Sequence, residues 1–123
     1  MMRARGALIL FFAVATIGVV GCSPNPKADC ESACEEQRSR MCNGYTGDEN
    51  CTALCATAQA DYDSVTEDAR RIGCGSEWDA AYGCSFGGDP CNTSRCNAEG
   101  NALQSCITSY CTRNPEDRVC AGP

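Results

Sequence analysis

The chain has 123 residues, 13 cysteines, no histidine and a formal net charge of −6. The acidic balance argues against nucleic acid as a partner and against docking on anionic lipid through charge. Without histidine there is no Ser–His or Cys–His nucleophilic dyad and no imidazole for a metal.

The first element is a leader. Arg3 and Arg5 make a basic start, and residues 7–20 form an uncharged, mostly apolar run of 14 residues. A membrane-crossing helix needs about 20 apolar residues, so the run fits the apolar region of an export signal. It ends Val19-Val20-Gly21-Cys22. That ending resembles the lipobox of bacterial lipoproteins: an aliphatic residue, two short residues, then cysteine. The resemblance covers the first 22 residues. It implies a signal peptide over residues 1–21, a diacylglyceryl group on the Cys22 sulfur, and acylation of the freed Cys22 amine by a chain such as palmitate. Several acyl chains hold a protein firmly where one short chain binds marginally. Ser23 does not resemble an inner-membrane retention signal, so the expected location is the bacterial cell envelope, at the outer membrane, facing periplasm or surface. The other reading of the leader is an ordinary signal peptide whose Cys22 joins a disulfide.

Cleavage before Cys22 leaves 102 residues, with 8 basic against 16 acidic side chains and a net charge of −8. Beyond Cys22 the large apolar residues are one Trp, one Phe, four Tyr, two Leu, two Ile, two Val and one Met. A domain of this size gains little stability from so few. Cysteine must supply the rest. Setting Cys22 aside leaves Cys30, Cys34, Cys42, Cys51, Cys55, Cys74, Cys84, Cys91, Cys96, Cys106, Cys111 and Cys120. Twelve is even, and export places them where disulfides persist.

Residues 23–27 hold two prolines and no other apolar residue, which predicts an extended tether over residues 22–28. Asp29 can cap a helix starting at Cys30, with Cys30, Ala33, Cys34, Gln37 and Met41 on one stripe and Asn43-Gly44 as its stop. Residues 43–50 read as a loop. Asn50 can cap a second helix with Cys51, Leu54, Cys55, Ala58 and Tyr62 on one face. Ser64-Val65-Thr66-Glu67 has capping-box form and marks a restart or a bend, and Ile72-Gly73 ends that helix. Ser76 with Asp79 opens a helix carrying Trp78, Ala81 and Tyr82 up to Cys84. Residues 85–90 are a loop and a sub-boundary within the domain of residues 29–123. A last helix spans about 94–111, followed by an irregular tail held only by Cys120. No run alternates as a strand does. The expected fold is all-α, a small disulfide-rich domain of four or five short helices.

Cys30 to Cys34 and Cys51 to Cys55 are both C-x3-C. On a helix such thiols lie one turn apart on the same face, suited to bonds with a neighbouring antiparallel helix. With Cys42 ending one helix and Cys51 opening the next, the spacing predicts Cys42–Cys51 with Cys34–Cys55 deeper, leaving Cys30 for Cys74 or Cys84. Cys96, Cys106 and Cys111 then need partners among Cys91, Cys120 and the remaining one of Cys74 and Cys84. Residues 30–55 also resemble the twin C-x3-C hairpin proteins of oxidising compartments. That resemblance implies the alternative, Cys34–Cys51 with Cys30–Cys55, and no shared activity. The whole chain resembles the short cysteine-rich lipoproteins of myxobacteria and related bacteria in its lipobox, proline-containing tether, C-x3-C pairs and acidic alanine-rich helices. No activity comes with that likeness.

Other chemistry finds little support. There is no C-x2-C for thioredoxin-type redox or a zinc ribbon. An EF-hand counted from Asp61 puts Thr66 and Ile72 where glycine and glutamate are needed. No metal, cofactor or catalytic residue is expected. Trp78, Tyr82 and Phe86 read as core, or else as an exposed aromatic patch. Tyr45, on the 43–50 loop, is the better candidate for an exposed contact. The functional expectation is a lipid-anchored, non-enzymatic envelope protein with a binding or structural role, meeting the membrane through its lipid and an unidentified envelope or extracellular protein. The alternatives are a disulfide-rich inhibitor or effector presenting a long loop held by two bridges, and a thiol redox or metal-handling protein.

Overall fold

The computed structural model describes residues 23–122. Among them there is no strand, and the chain is helical as expected. Five α-helices follow in order: α1 (Pro26–Arg40), α2 (Cys51–Leu54), α3 (Ala58–Arg71), α4 (Gly75–Phe86) and α5 (Asn97–Arg113). Single 3-10 turns precede α5 (Thr93–Cys96) and close the tail (Arg118–Cys120). Cys22 and the leader lie outside the described residues.

The start of α1 differs from the sequence reading. Asn25, not Asp29, is the cap: its side-chain oxygen accepts the Ala28 N–H, and Pro26 takes the first helical position. Proline suits that position because its missing N–H has no helical partner there anyway. Pro26 is buried. The extended stretch therefore shrinks to residues 23–25, and residues 26–28 belong to the helix. Asp29 serves instead as acceptor for the Tyr82 hydroxyl at 2.7 Å.

Asn50 caps α2 as expected, accepting the Ala53 N–H at 3.0 Å. The helix then breaks after one turn and restarts at Ala58, so Leu54 is 60% exposed and not on a buried face. Met41 likewise leaves its stripe. It turns left-handed (φ 49°) at the end of α1 and is 68% exposed. The capping-box sequence at Ser64 restarts nothing: α3 runs through it, and Thr66 and Ala69 are buried with Ile72 just beyond the helix. Gly73, at φ 83°, makes the turn into α4 that few other residues adopt.

The buried interior is mostly sulfur: Cys34, Cys51, Cys55 and Cys74, with Ala69 and Ile72. All twelve described cysteines pair, eight of them in two antiparallel stapled hairpins. Cys30–Cys55 and Cys34–Cys51 join α1 to the segment around α2. Cys74–Cys106 and Cys84–Cys96 join α4 to the α5 arm. Within each hairpin the residue numbers of both pairs add to the same total, the mark of antiparallel register. Cys42–Cys91 joins one hairpin to the other, and Cys111–Cys120 closes the tail.

The pairing of Cys42 with Cys51 and Cys34 with Cys55 does not form. Cys34 to Cys42 spans eight residues, about 12 Å of helix, whereas Cys51 to Cys55 spans four, about 6 Å. Two antiparallel arms cannot bridge both pairs with that mismatch, and the twin C-x3-C arrangement has equal spacings. Cys30 is consequently taken by Cys55 and reaches neither Cys74 nor Cys84. Cys91 goes to Cys42, and both Cys74 and Cys84 serve the second hairpin.

A polar hub also holds the tail. Asp117 accepts two bonds from the Arg71 guanidinium (2.7 and 2.9 Å), one from the Tyr110 hydroxyl (2.8 Å) and one from the Val119 N–H (2.9 Å). Arg118 pairs with Asp68 beside it. The tail is thus tied to α3 as well as to Cys111, more than the single cysteine expected.

Candidate interaction site

The loop 43–50 is built tightly. At the end of α1 the Met41 N–H donates to Arg38 O, and the Cys42 N–H reaches back to Gln37 O. Asn43 (φ 54°), Gly44 and Gly47 (φ 100°) turn the chain in the left-handed region. The Glu49 carboxylate then gathers the loop, accepting the Thr46 and Gly47 N–H groups and the Thr46 hydroxyl. The Thr46 N–H bond foremost holds the Glu49 carboxyl below the usual carboxylate range. Arg38 donates to Glu49 O at 3.1 Å, and Asn43 to Pro90 O at 2.8 Å. Both flanking residues, Cys42 and Cys51, are bridged, and to different parts of the fold.

Tyr45 is not the exposed contact that the sequence suggests. It is half-buried, packed on the cluster of Cys34, Cys51 and Cys55. The loop's open tip is Thr46, Gly47 and Asp48. The tyrosine turns inward because the sulfur cluster beneath it has too little other apolar cover.

Beside the loop lies a cleft of about 380 Å³, walled by Ala33 and Gln37 of α1, by Tyr45, by Phe86 at the end of α4, and by Pro90 and Arg95. Its charged groups are already committed. Arg95 donates to the carbonyls of Cys84, Ser85 and Asp89, neutralising the negative C-terminal end of α4. Asp89 accepts two bonds from Arg40 (2.6 and 3.2 Å) and one from the Cys91 N–H (2.9 Å). Arg40 first, then that N–H, holds the Asp89 carboxyl below its ordinary range. What remains for a ligand is ring surface, backbone and the uncharged side chains of Asn92 and Thr93, an arrangement suited to recognition by shape.

The aromatic residues form a ladder. Trp78, Tyr82 and Phe86 stand at successive turns of α4, with ring centroids 5.8 Å and 4.8 Å apart, and Tyr62 of α3 packs 4.6 Å from Tyr82. The Trp78 indole N–H donates to the buried Thr66 hydroxyl at 2.9 Å. Burial, then the bond to Asp29, pushes the Tyr82 hydroxyl well above its ordinary range. Trp78 and Tyr82 are half-buried. Phe86, 40% exposed, is the open end of the ladder. On the far side of Phe86 a second cleft of about 480 Å³ is lined by Ser23, Pro24, Tyr62, Tyr82 and Arg70.

Asp61 and the aspartates that follow it on α3 are engaged by neighbouring side chains. Asp61 accepts from Thr57, Asp63 from Gln59, and Asp68 from Arg71 and Arg118. Among the described residues no three Cys, Asp or Glu side chains gather as a metal site. No described helix is long and apolar enough to cross a membrane. The Cys42–Cys91 bridge and the Asp117 hub escape sequence reasoning, although the equal ten-residue spacings of Cys74 to Cys84 and Cys96 to Cys106 signal the second hairpin. In comparisons with protein-family models, curated proteins and solved structures, the chain matches none.

Proposed function

We propose that this protein is anchored to the bacterial cell envelope through acyl chains on Cys22, at the outer membrane, and serves there as a non-catalytic binding or structural module. The observation that carries the reading is the closed cysteine ledger: all twelve described cysteines bond to one another, so none is left to pair with Cys22. A lone cysteine behind an export-type leader is what lipidation requires. The test is metabolic labelling with an alkyne fatty acid in a bacterial host. Wild type should carry label in the membrane fraction, and Cys22→Ser should lose both label and membrane association. Label retained by Cys22→Ser would overturn the reading.

A second reading is favoured by the loop 43–50. It stands between two disulfides and is braced internally by Glu49, the form expected of an inhibitor or effector that presents residues 46–48 to another protein. Capture from envelope extract separates this reading from a purely structural role. A partner retained by wild type and lost by Asp48→Arg supports it, and equal capture by both removes it.

A further inference from the structure

We propose that the face formed by Ser23, Pro24, Tyr82 and Phe86 rests on the phospholipid bilayer, so that the domain is held flush on lipid in one orientation. This rests on the acylation of Cys22. Three observations carry it. First, there is almost no tether: Ser23 and Pro24 already line the second cleft, and a buried Pro26 starts α1. A peptide unit puts the next Cα about 3.8 Å from that of Ser23. Acyl chains on Cys22 must therefore enter the membrane beside this cleft. Second, the same cleft is bordered by Phe86, which is 40% exposed though its ladder neighbours are not. An open aromatic ring braced from behind suits the boundary between headgroups and acyl chains. Third, the charge here is close to balanced. The cleft lining holds Arg70 with Asp29 and Asp79, and Asp29 is engaged by Tyr82. One basic and two acidic side chains in the lining leave a net charge of −1 there, so approach to zwitterionic lipid meets little repulsion.

The loop 43–50 follows the opposite end of α1, about 22 Å along a 15-residue helix. Tyr45 shares the first cleft with Phe86, so the proposal leaves only the loop's tip, residues 46–48, clear of the membrane.

The test uses the acylated protein in phosphatidylcholine vesicles, with its intact mass recorded first. Two variants in a Trp78→Phe background carry a single tryptophan, at Phe86→Trp or at Asp48→Trp. Brominated acyl chains should lower the emission of the first at least twofold and leave the second unchanged. No quenching at either position, in protein whose mass shows acyl chains, would overturn the docking and leave the anchor standing. Equal quenching at both would overturn the orientation. A mass without acyl chains would overturn the reading beneath it. Should Trp78→Phe fail to fold, hydrogen exchange of wild type decides. Amides 86–88 should exchange more slowly on vesicles than in soluble Cys22→Ser protein, and equal rates would refute the contact.

Discussion

Removing the Cys42–Cys91 bridge should cost more stability than removing the tail bridge, and the disulfide graph gives the reason. Among the described residues it is the one covalent link between the α1–α2 hairpin and the α4–α5 hairpin, apart from the chain itself. Its sequence separation is 49. The other bridges barely shorten the path: crossing Cys84–Cys96 saves only about two residues. Chain-entropy reasoning gives a loop of that length about 4 kcal/mol. The nine-residue separation of Cys111–Cys120 corresponds to about 2.6 kcal/mol. The polar contacts left across the gap, Arg40 with Asp89 and the bonds to Pro90 O, lie at exposed or half-buried positions and offset little. The assay is guanidinium unfolding of Cys42→Ala/Cys91→Ala and Cys111→Ala/Cys120→Ala, followed by Trp78 emission and far-ultraviolet circular dichroism. The first should lose more than the second by about 1.4 kcal/mol. A larger loss for the tail variant would refute the reasoning that Cys42–Cys91 couples the two halves.

Trp78→Phe should destabilise the fold by about 1–3 kcal/mol, because the Thr66 hydroxyl, 7% exposed, loses its donor; a denaturation midpoint by circular dichroism checks it. Asn50→Ala should cost about 1 kcal/mol through loss of the Ala53 N–H cap, measured in the same way. Acid should loosen the tail. Arg71 first, then the Val119 N–H and the Tyr110 hydroxyl, holds the Asp117 carboxyl well below its ordinary range. Its stabilising effect is complete above the unfolded carboxyl pKa of about 4 and fades as pH falls through the folded value. Asp117→Asn should therefore flatten the acid limb of a melting-temperature profile, and an unchanged limb would count against the hub.

The sequence states its helices more clearly than its joints. C-x3-C twice over announces a stapled hairpin because thiols one turn apart must bond to another helix. Asn50 before Cys51 marks a cap by local chemistry alone, and Gly73 marks a stop. The start of α1 was equally legible: Asn25 followed by Pro26 is a stronger start signal than Asp29, but a proline-bearing stretch after the anchor reads first as tether. Ser64 to Glu67 shows the converse error, since a capping-box sequence is silent when burial of Thr66 and Ala69 carries the helix through it. Tyr45 reads as exposed because loops usually are, whereas a core made of sulfur draws in any nearby ring. Cys42–Cys91 depends on how the two hairpins sit together, and no local spacing encodes that. The site is hardest to read for the same reason: its cleft is walled by four separate segments.

One measurement tests the central claim most directly: the intact mass of the protein taken from its native membrane fraction, alkylated with and without prior reduction. The account predicts a chain that begins at Cys22, carries acyl mass, and gains twelve alkyl groups only after reduction. A lipid-free mass, or cysteines that alkylate without reduction, would contradict it.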